Sequence, residues 1–228
     1  MKKLTTIWLI GLAILSVSPA SGQVLGVFDG HTDVGNPKVA GDASYDPVRQ
    51  EYFVSGSGYN VWFDHDEFHF VWKRLSGDFV VRASAHFVGE GADPHRKRGW
   101  MVRSDLDSDA THINAVVHGD GLAALQLRRS VGGETEEVRS QVVGADVIQL
   151  ERRGNDFVMS VARHGEPLVS EEISDLVLGE EVYVGLFVSS HNEDVLEEAV
   201  FRNVRIVVPA GEDLVPYRGY LGSNLEIL

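Results

Sequence analysis

From Val24 onward the chain shows almost no helical periodicity; its apolar residues alternate instead. Runs in which every second residue is apolar are bounded by Gly, Asp, Asn and Pro and recur about every 8–12 residues, the pattern of a large β-sandwich or barrel. The runs are Val39–Tyr45, Arg49–Val54, Phe68–Leu75, Asp78–Val88, a meander from Lys97 to Arg129, Thr135–Val143, Val147–Arg153, Asp156–Arg163, Pro167–Ile173, Glu181–Ser189 and Ala199–Val208. More than about ten strands overfill one open sheet, and two sheets stacked about 10 Å apart resolve the excess. The expected fold is all-β, a two-sheet jelly-roll sandwich over residues 23–208. A short helical turn is admitted only at Ile173–Leu178, before Gly179.

Period two assigns the faces. In Asp78–Val88, Phe79, Val81, Ala83, Ala85 and Phe87 fall on one side and should enter the core, with Arg82, Ser84 and His86 outside. Glu181–Ser189 is apolar on both faces and should lie centrally, covered on both sides. Arg153-Gly154-Asn155-Asp156 between two apolar runs reads as a tight hairpin.

The ends differ from this pattern. Lys2 and Lys3 precede an apolar run, Ile7–Val17, and Ala20-Ser21-Gly22 supplies small residues before Gln23, so residues 1–22 read as a cleaved signal peptide. The run is short for a membrane span of about 20 residues, and no membrane insertion is expected after cleavage. Export predicts a periplasmic or secreted protein, and with no cysteine its stability must come from packing. Without the two signal lysines, 18 basic residues face 34 acidic ones, a net charge of −16. That charge opposes phosphate backbones and anionic lipids, which argues against a nucleic-acid partner. At the other end, residues 209–228 start like a loop and finish in what reads as a new strand, Asn224–Leu228.

Chemistry concentrates in the Lys97–Arg129 meander, where three alternating runs collect aliphatic residues on one side. The other side gathers His112, Asn114, His118, Gln126 and Arg128, with Lys97 or Arg103 beside them on the neighbouring strand. Planar donors and acceptors on a sheet face suit hydroxyl recognition, and Trp62, Trp72 or Trp100 is expected to supply an aromatic platform for a sugar ring. The same pattern also describes a solvated outer face.

Other constellations carry less. Asp64, Asp66 and Glu67 crowd beside Trp62, yet a retaining glycosidase needs two carboxyl groups about 5–5.5 Å apart, and period two turns only Asp64 and Asp66 the same way. Asp105, Asp107 and Asp109 alternate, but Ala110 and Val116 stand where a Ca²⁺-binding EF-hand loop needs Gly and Glu. A structural Ca²⁺ elsewhere stays open; no other cofactor is indicated. His112 and His118 are too far apart along one strand, about 20 Å, to share a metal. No Gly-x-Ser-x-Gly nucleophile elbow is present.

Asp33-Val34-Gly35, Ser55–Gly58, Asp66–Phe79, the KRGWMVR segment, Val117–Gly121, Tyr183–Asn192 and Phe201–Ile206 together resemble a family of secreted concanavalin A-like sandwich domains. The resemblance covers nearly all of Val24–Leu228. In that family the sandwich often precedes a TolB-like β-propeller, and PYRGYLGSNLEIL looks like the linker and first propeller strand. Relatives include sugar-binding lectins, laminarin-type glucanases and keto-glycoside hydrolases; the glucanases carry Glu-x-Asp-x-x-Glu on one strand, a string this chain lacks. A shared fold does not transfer an activity.

The expectation is an exported, non-catalytic module that recognises a glycan or an extracytoplasmic protein through His112, Asn114, His118, Gln126, Arg128, Arg103 and Trp100. Two alternatives stand beside it. One is a glycoside-cleaving enzyme using Asp64, Asp66 or Glu67 with Arg128 and His112; the other is a structural domain that packs the same face against a propeller.

Overall fold

The computed structural model describes residues 25–209, among which there are fourteen strands and no helix. They form two seven-stranded antiparallel sheets. The first runs β1 (Gly30–Val34), β4 (Phe68–Ser76), β13 (Glu181–Ser189), β6 (Lys97–Arg103), β7 (His112–His118), β8 (Leu122–Arg128) and β9 (Thr135–Val143). The second runs β12 (Val169–Ile173), β11 (Asp156–Ala162), β10 (Val147–Arg153), β5 (Phe79–Phe87), β14 (Asn192–Val207), β3 (Glu51–Gly58) and β2 (Asp42–Asp46). The expected signal peptide and the strand expected at Asn224–Leu228 lie outside the described residues.

Alternation decides what fills the space between the sheets. Phe79, Val81, Ala83 and Ala85 of β5 meet Trp100, Val102, Ile113, Ala115, Leu125 and Leu127 from the meander in one continuous core. Burial of each large side chain contributes roughly 1.5–3 kcal/mol. Strand β13, third in its sheet, is apolar on both faces. Val182, Val184, Leu186 and Val188 enter this core, while Phe187 packs on the opposite side with Phe68, Phe70, Met101 and Val116.

Turn chemistry fixes the hairpins. Arg153 pairs with Asp156, leaving Gly154-Asn155 as the two-residue connection, and Gly154 takes φ 60°, a backbone that glycine adopts without strain.

Three local expectations change. Strand β1 escapes detection because Gly30-His31-Thr32-Asp33-Val34 has no apolar alternation; it is a short edge strand held by register with β4. Strand β14 starts earlier than Ala199 and keeps pairing with both neighbours by shifting register between Asn192 and Glu197 and between Arg202 and Arg205. Ile173–Leu178 forms no helical turn. Its irregular backbone sends Leu176 and Leu178 into the core, the Leu176 amide donates to the Asn155 carbonyl, and Asp175 takes φ 59°.

The site is positioned by the connection between β3 and β4. These strands belong to different sheets, so residues 59–67 must cross from one to the other, and they do so over the outer face of the first sheet. Val61 is fully buried there on Val34, Phe68, Phe70, Met101 and Val116, forming a second small core. Hydrogen bonds staple this strap at several points: the Glu67 amide to the Asn60 carbonyl, the Asp66 amide to the Ser108 carbonyl, and the Thr135 hydroxyl to the Phe63 carbonyl.

Candidate functional site

Register brings the meander's polar residues onto one face. His112 lies opposite Arg128 and Arg103, Asn114 opposite Gln126 and Met101, and His118 opposite Lys97. Trp100 is not among them. Period two turns it with Val102 toward the other sheet, where it is fully buried, its ring centroid 6.2 Å from that of Phe28. It belongs to the core and offers no sugar platform.

The face is also closed along half its length, which corrects the expectation of an open surface. His112, Asn114, Arg103 and Arg128 have no exposed surface beneath the strap, and Gln126, equally buried, stands where the closed half meets the pocket. Asp66 enters from the strap and shares its single negative charge between the two arginines. Arg128 donates through Nη2 to Oδ1 at 2.7 Å and through Nη1 to Oδ2 at 2.9 Å, and Arg103 Nη1 lies 3.5 Å from Oδ2. Remaining guanidinium donors reach the carbonyls of Phe63, Gly133, Asp105 and Asp107. Burial holds the pKa of His112 down at about 4, against the opposing pull of Asp66, so it sits neutral beside the ion pair. His112, Arg103 and Arg128 therefore anchor the strap, and none of them lines the pocket described below.

The carboxylates considered for catalysis do not converge. Asp66 is fully buried in that ion pair, the largely exposed Asp64 pairs with His65 at 2.9 Å, and Glu67 accepts from the Tyr59 amide at 3.0 Å. Asp105 and Asp107 lend main-chain carbonyls to Arg103. Among the described residues no group of three or more His, Asp or Glu side chains is placed to hold a metal ion.

Beyond the strap's anchor the face opens. A pocket of about 220 Å³ is lined by Asn60, Trp62, His95, Lys97, His118, Leu122, Gln126, Glu137, Arg139 and His191. That is the volume of about seven waters at ~30 Å³ each, room for a single sugar ring. The Gln126 amide nitrogen donates to Glu137 Oε2 at 2.8 Å and approaches His118 Nε2 at 3.3 Å. Acceptance at Nε2 puts the His118 proton on Nδ1. That atom and Gln126 Oε1 are buried without a hydrogen-bond partner among the described residues. Burial, reinforced by Lys97, lowers the His118 pKa to about 3. Lys97 Nζ donates to Asn60 Oδ1 at 2.7 Å and to the His95 carbonyl at 3.4 Å.

Trp62, half-buried, is shared with a larger open groove of about 890 Å³ that includes Tyr59, Phe63, His65, Glu134 and Thr135. Tyr59 and Phe63 are about half exposed and stack with ring planes 17° apart. His118, Gln126, Lys97 and Trp62 were legible in the sequence. Asn60, His95, Glu137, Arg139 and His191 were not, because they arrive from four other segments with no shared spacing. At the far edge, Asp33, His69 and His31 form a hydrogen-bonded chain of 2.7 and 2.9 Å. Only the DVG motif and the H-bearing β4 run hinted at it.

No protein-family profile matches the chain, and no curated protein matches it. Solved structures do match. A functionally unknown protein from Saccharomyces cerevisiae aligns with TM-score 0.59 and 15% identity, over 79% of this chain and 97% of that one. Carbohydrate-binding module CBM66 from Bacillus subtilis aligns with TM-score 0.51 and 19% identity, over 80% and 98%. At such identities the likeness is one of fold, and the fold is the concanavalin A-like two-sheet sandwich.

Proposed function

We propose that this chain is an exported, non-catalytic glycan-recognition module. Its site is the pocket between Lys97, His118, Gln126 and Trp62, continuing into the groove beside Tyr59 and Phe63. The observation that carries this is the pairing of aromatic faces with planar polar groups whose buried atoms, His118 Nδ1 and Gln126 Oε1, lack partners. Such a site stacks a ring's apolar face on Trp62 while fixed donors and acceptors read its hydroxyls. Unpaired buried polar atoms also favour a hydroxylated ligand over an apolar one. In this reading residues 1–22 direct export.

A glycan array followed by calorimetric titration of the purified chain tests this. Binding should fall at least tenfold on Trp62→Ala with the melting temperature retained. Absence of binding to any oligosaccharide, or full binding by Trp62→Ala, would sink the proposal and leave the exposed aromatic groove as a protein-docking surface.

A further inference from the structure

Resting on the glycan site above, we infer that its ligand is an acidic sugar, a uronic acid whose carboxylate is seated on Lys97. Buried charges in folded proteins are paired, and this molecule follows that rule elsewhere: Arg103 and Arg128 meet Asp66 on the same face, and Arg96 meets Glu197 of the other sheet at 2.6 Å. Lys97 departs from it. It is only 2% exposed, and among the described residues its ammonium bonds only the neutral oxygens of Asn60 and His95, with no carboxylate in ion-pair contact. Arg98 and Arg152 are likewise buried without a carboxylate. Each lies against an aromatic ring, of Phe87 and Phe157, and donates to main-chain carbonyls. Neither lines the pocket.

The pocket's other charges cancel locally. Glu137 is bonded by Arg139 and by the Gln126 amide, so neither is a free partner for Lys97. The carboxylates of Asp93, Glu137, Asp120 and Asp66 act on Lys97 from a distance, and the flanking His118 is held neutral. Burial lowers the Lys97 pKa to about 8, so the side chain is mostly protonated at neutral pH and an anion beside it would restore the charge fully. The third ammonium hydrogen, His118 Nδ1–H and Gln126 Oε1 are the groups left for a ring bearing one carboxylate and adjacent hydroxyls. The chain's net charge of −14 slows the approach of polyanions without altering the seat at Lys97.

The test is a titration of the purified chain with a galacturonic-acid trisaccharide, its methyl-esterified form and a neutral galactose trisaccharide. The acidic sugar should bind at least tenfold tighter than either, and Lys97→Met should erase that preference. Esterification changes only the ligand, so the preference is readable even if Lys97→Met folds poorly; Lys97→Gln gives a second variant. Equal binding of the acidic and esterified sugars overturns the assignment of a uronate but leaves glycan recognition standing. A preference retained by a folded Lys97→Met overturns the role of Lys97. Binding of a sulfated trisaccharide in place of the uronide overturns the carboxylate. Failure of every sugar removes the glycan site itself, and this inference with it.

Discussion

Arg128 on β8 and Asp66 on the β3–β4 strap, 62 residues apart, form a two-point ion pair of 2.7 and 2.9 Å with no exposed surface on either side chain. The pair ties an inter-sheet connection to the sheet it crosses. Removing one member of a buried pair leaves an uncompensated charge and costs about 3–5 kcal/mol. Asp66→Ala, which strands both Arg103 and Arg128, should lower unfolding free energy by that amount in urea denaturation. It should also expose the strap to limited proteolysis near Phe63. A loss below about 1 kcal/mol would show that the strap is held without the pair.

Acid should destabilise the fold through His112 and His118. Their folded pKa values, lowered to about 4 and about 3, lie beneath the usual histidine value near 6.5. Below pH 6.5 the unfolded chain takes up protons that the folded chain refuses, so stability falls as pH drops toward 4. The steepest combined slope is about 2.7 kcal/mol per pH unit. The double variant His112→Gln/His118→Gln should flatten that dependence. An unchanged slope would assign the acid sensitivity to other groups.

Lys97 acts at the alkaline end. Its folded pKa of about 8 lies below the unfolded value of about 10.4. Between these the folded protein has released a proton that the unfolded chain still holds, so stability rises with pH, by at most about 3 kcal/mol. Lys97→Met should abolish the rise and be as stable as the parent, or more so, at pH 7. Denaturation midpoints at pH 7 and pH 10 check both statements.

Gly58 and Gly154 separate two uses of glycine. Both have positive φ, 123° and 60°, but a Cβ at Gly58 would stand 2.2 Å from the Glu67 carbonyl oxygen, while nothing lies within 4 Å at Gly154. Gly154→Ala should cost about 1–2 kcal/mol for left-handed backbone alone. Gly58→Ala adds a backbone clash at the root of the strap and should cost distinctly more. Equal thermal shifts would mean that the strap moves aside freely.

Much of the fold was legible because alternation reports burial directly. The β5, β9, β10 and β13 runs coincide with observed strands almost residue for residue, and the meander's cross-strand partners follow from period two and its two turns. The same rule, applied to Lys97–Arg103, already separates Trp100 from Arg103. What alternation does not report is whether a polar face is wet. His112, Asn114 and Arg128 have the pattern of a solvent-facing set, and they are buried because a distant segment lies on them.

By itself, then, the order of residues determined an all-β chain of short strands, which side chains share a face, and the polar character of the meander's outer side. Each depends on neighbours within a strand or across a turn. Only the tertiary structure decided that the β3–β4 connection crosses that side and brings Asp66 to Arg128. It also decided that Asn60, Trp62, His95 and His191 complete a pocket around Lys97. Those contacts span tens of residues and join segments with no common periodicity. Burial and charge pairing select them, and neither is expressed in local sequence.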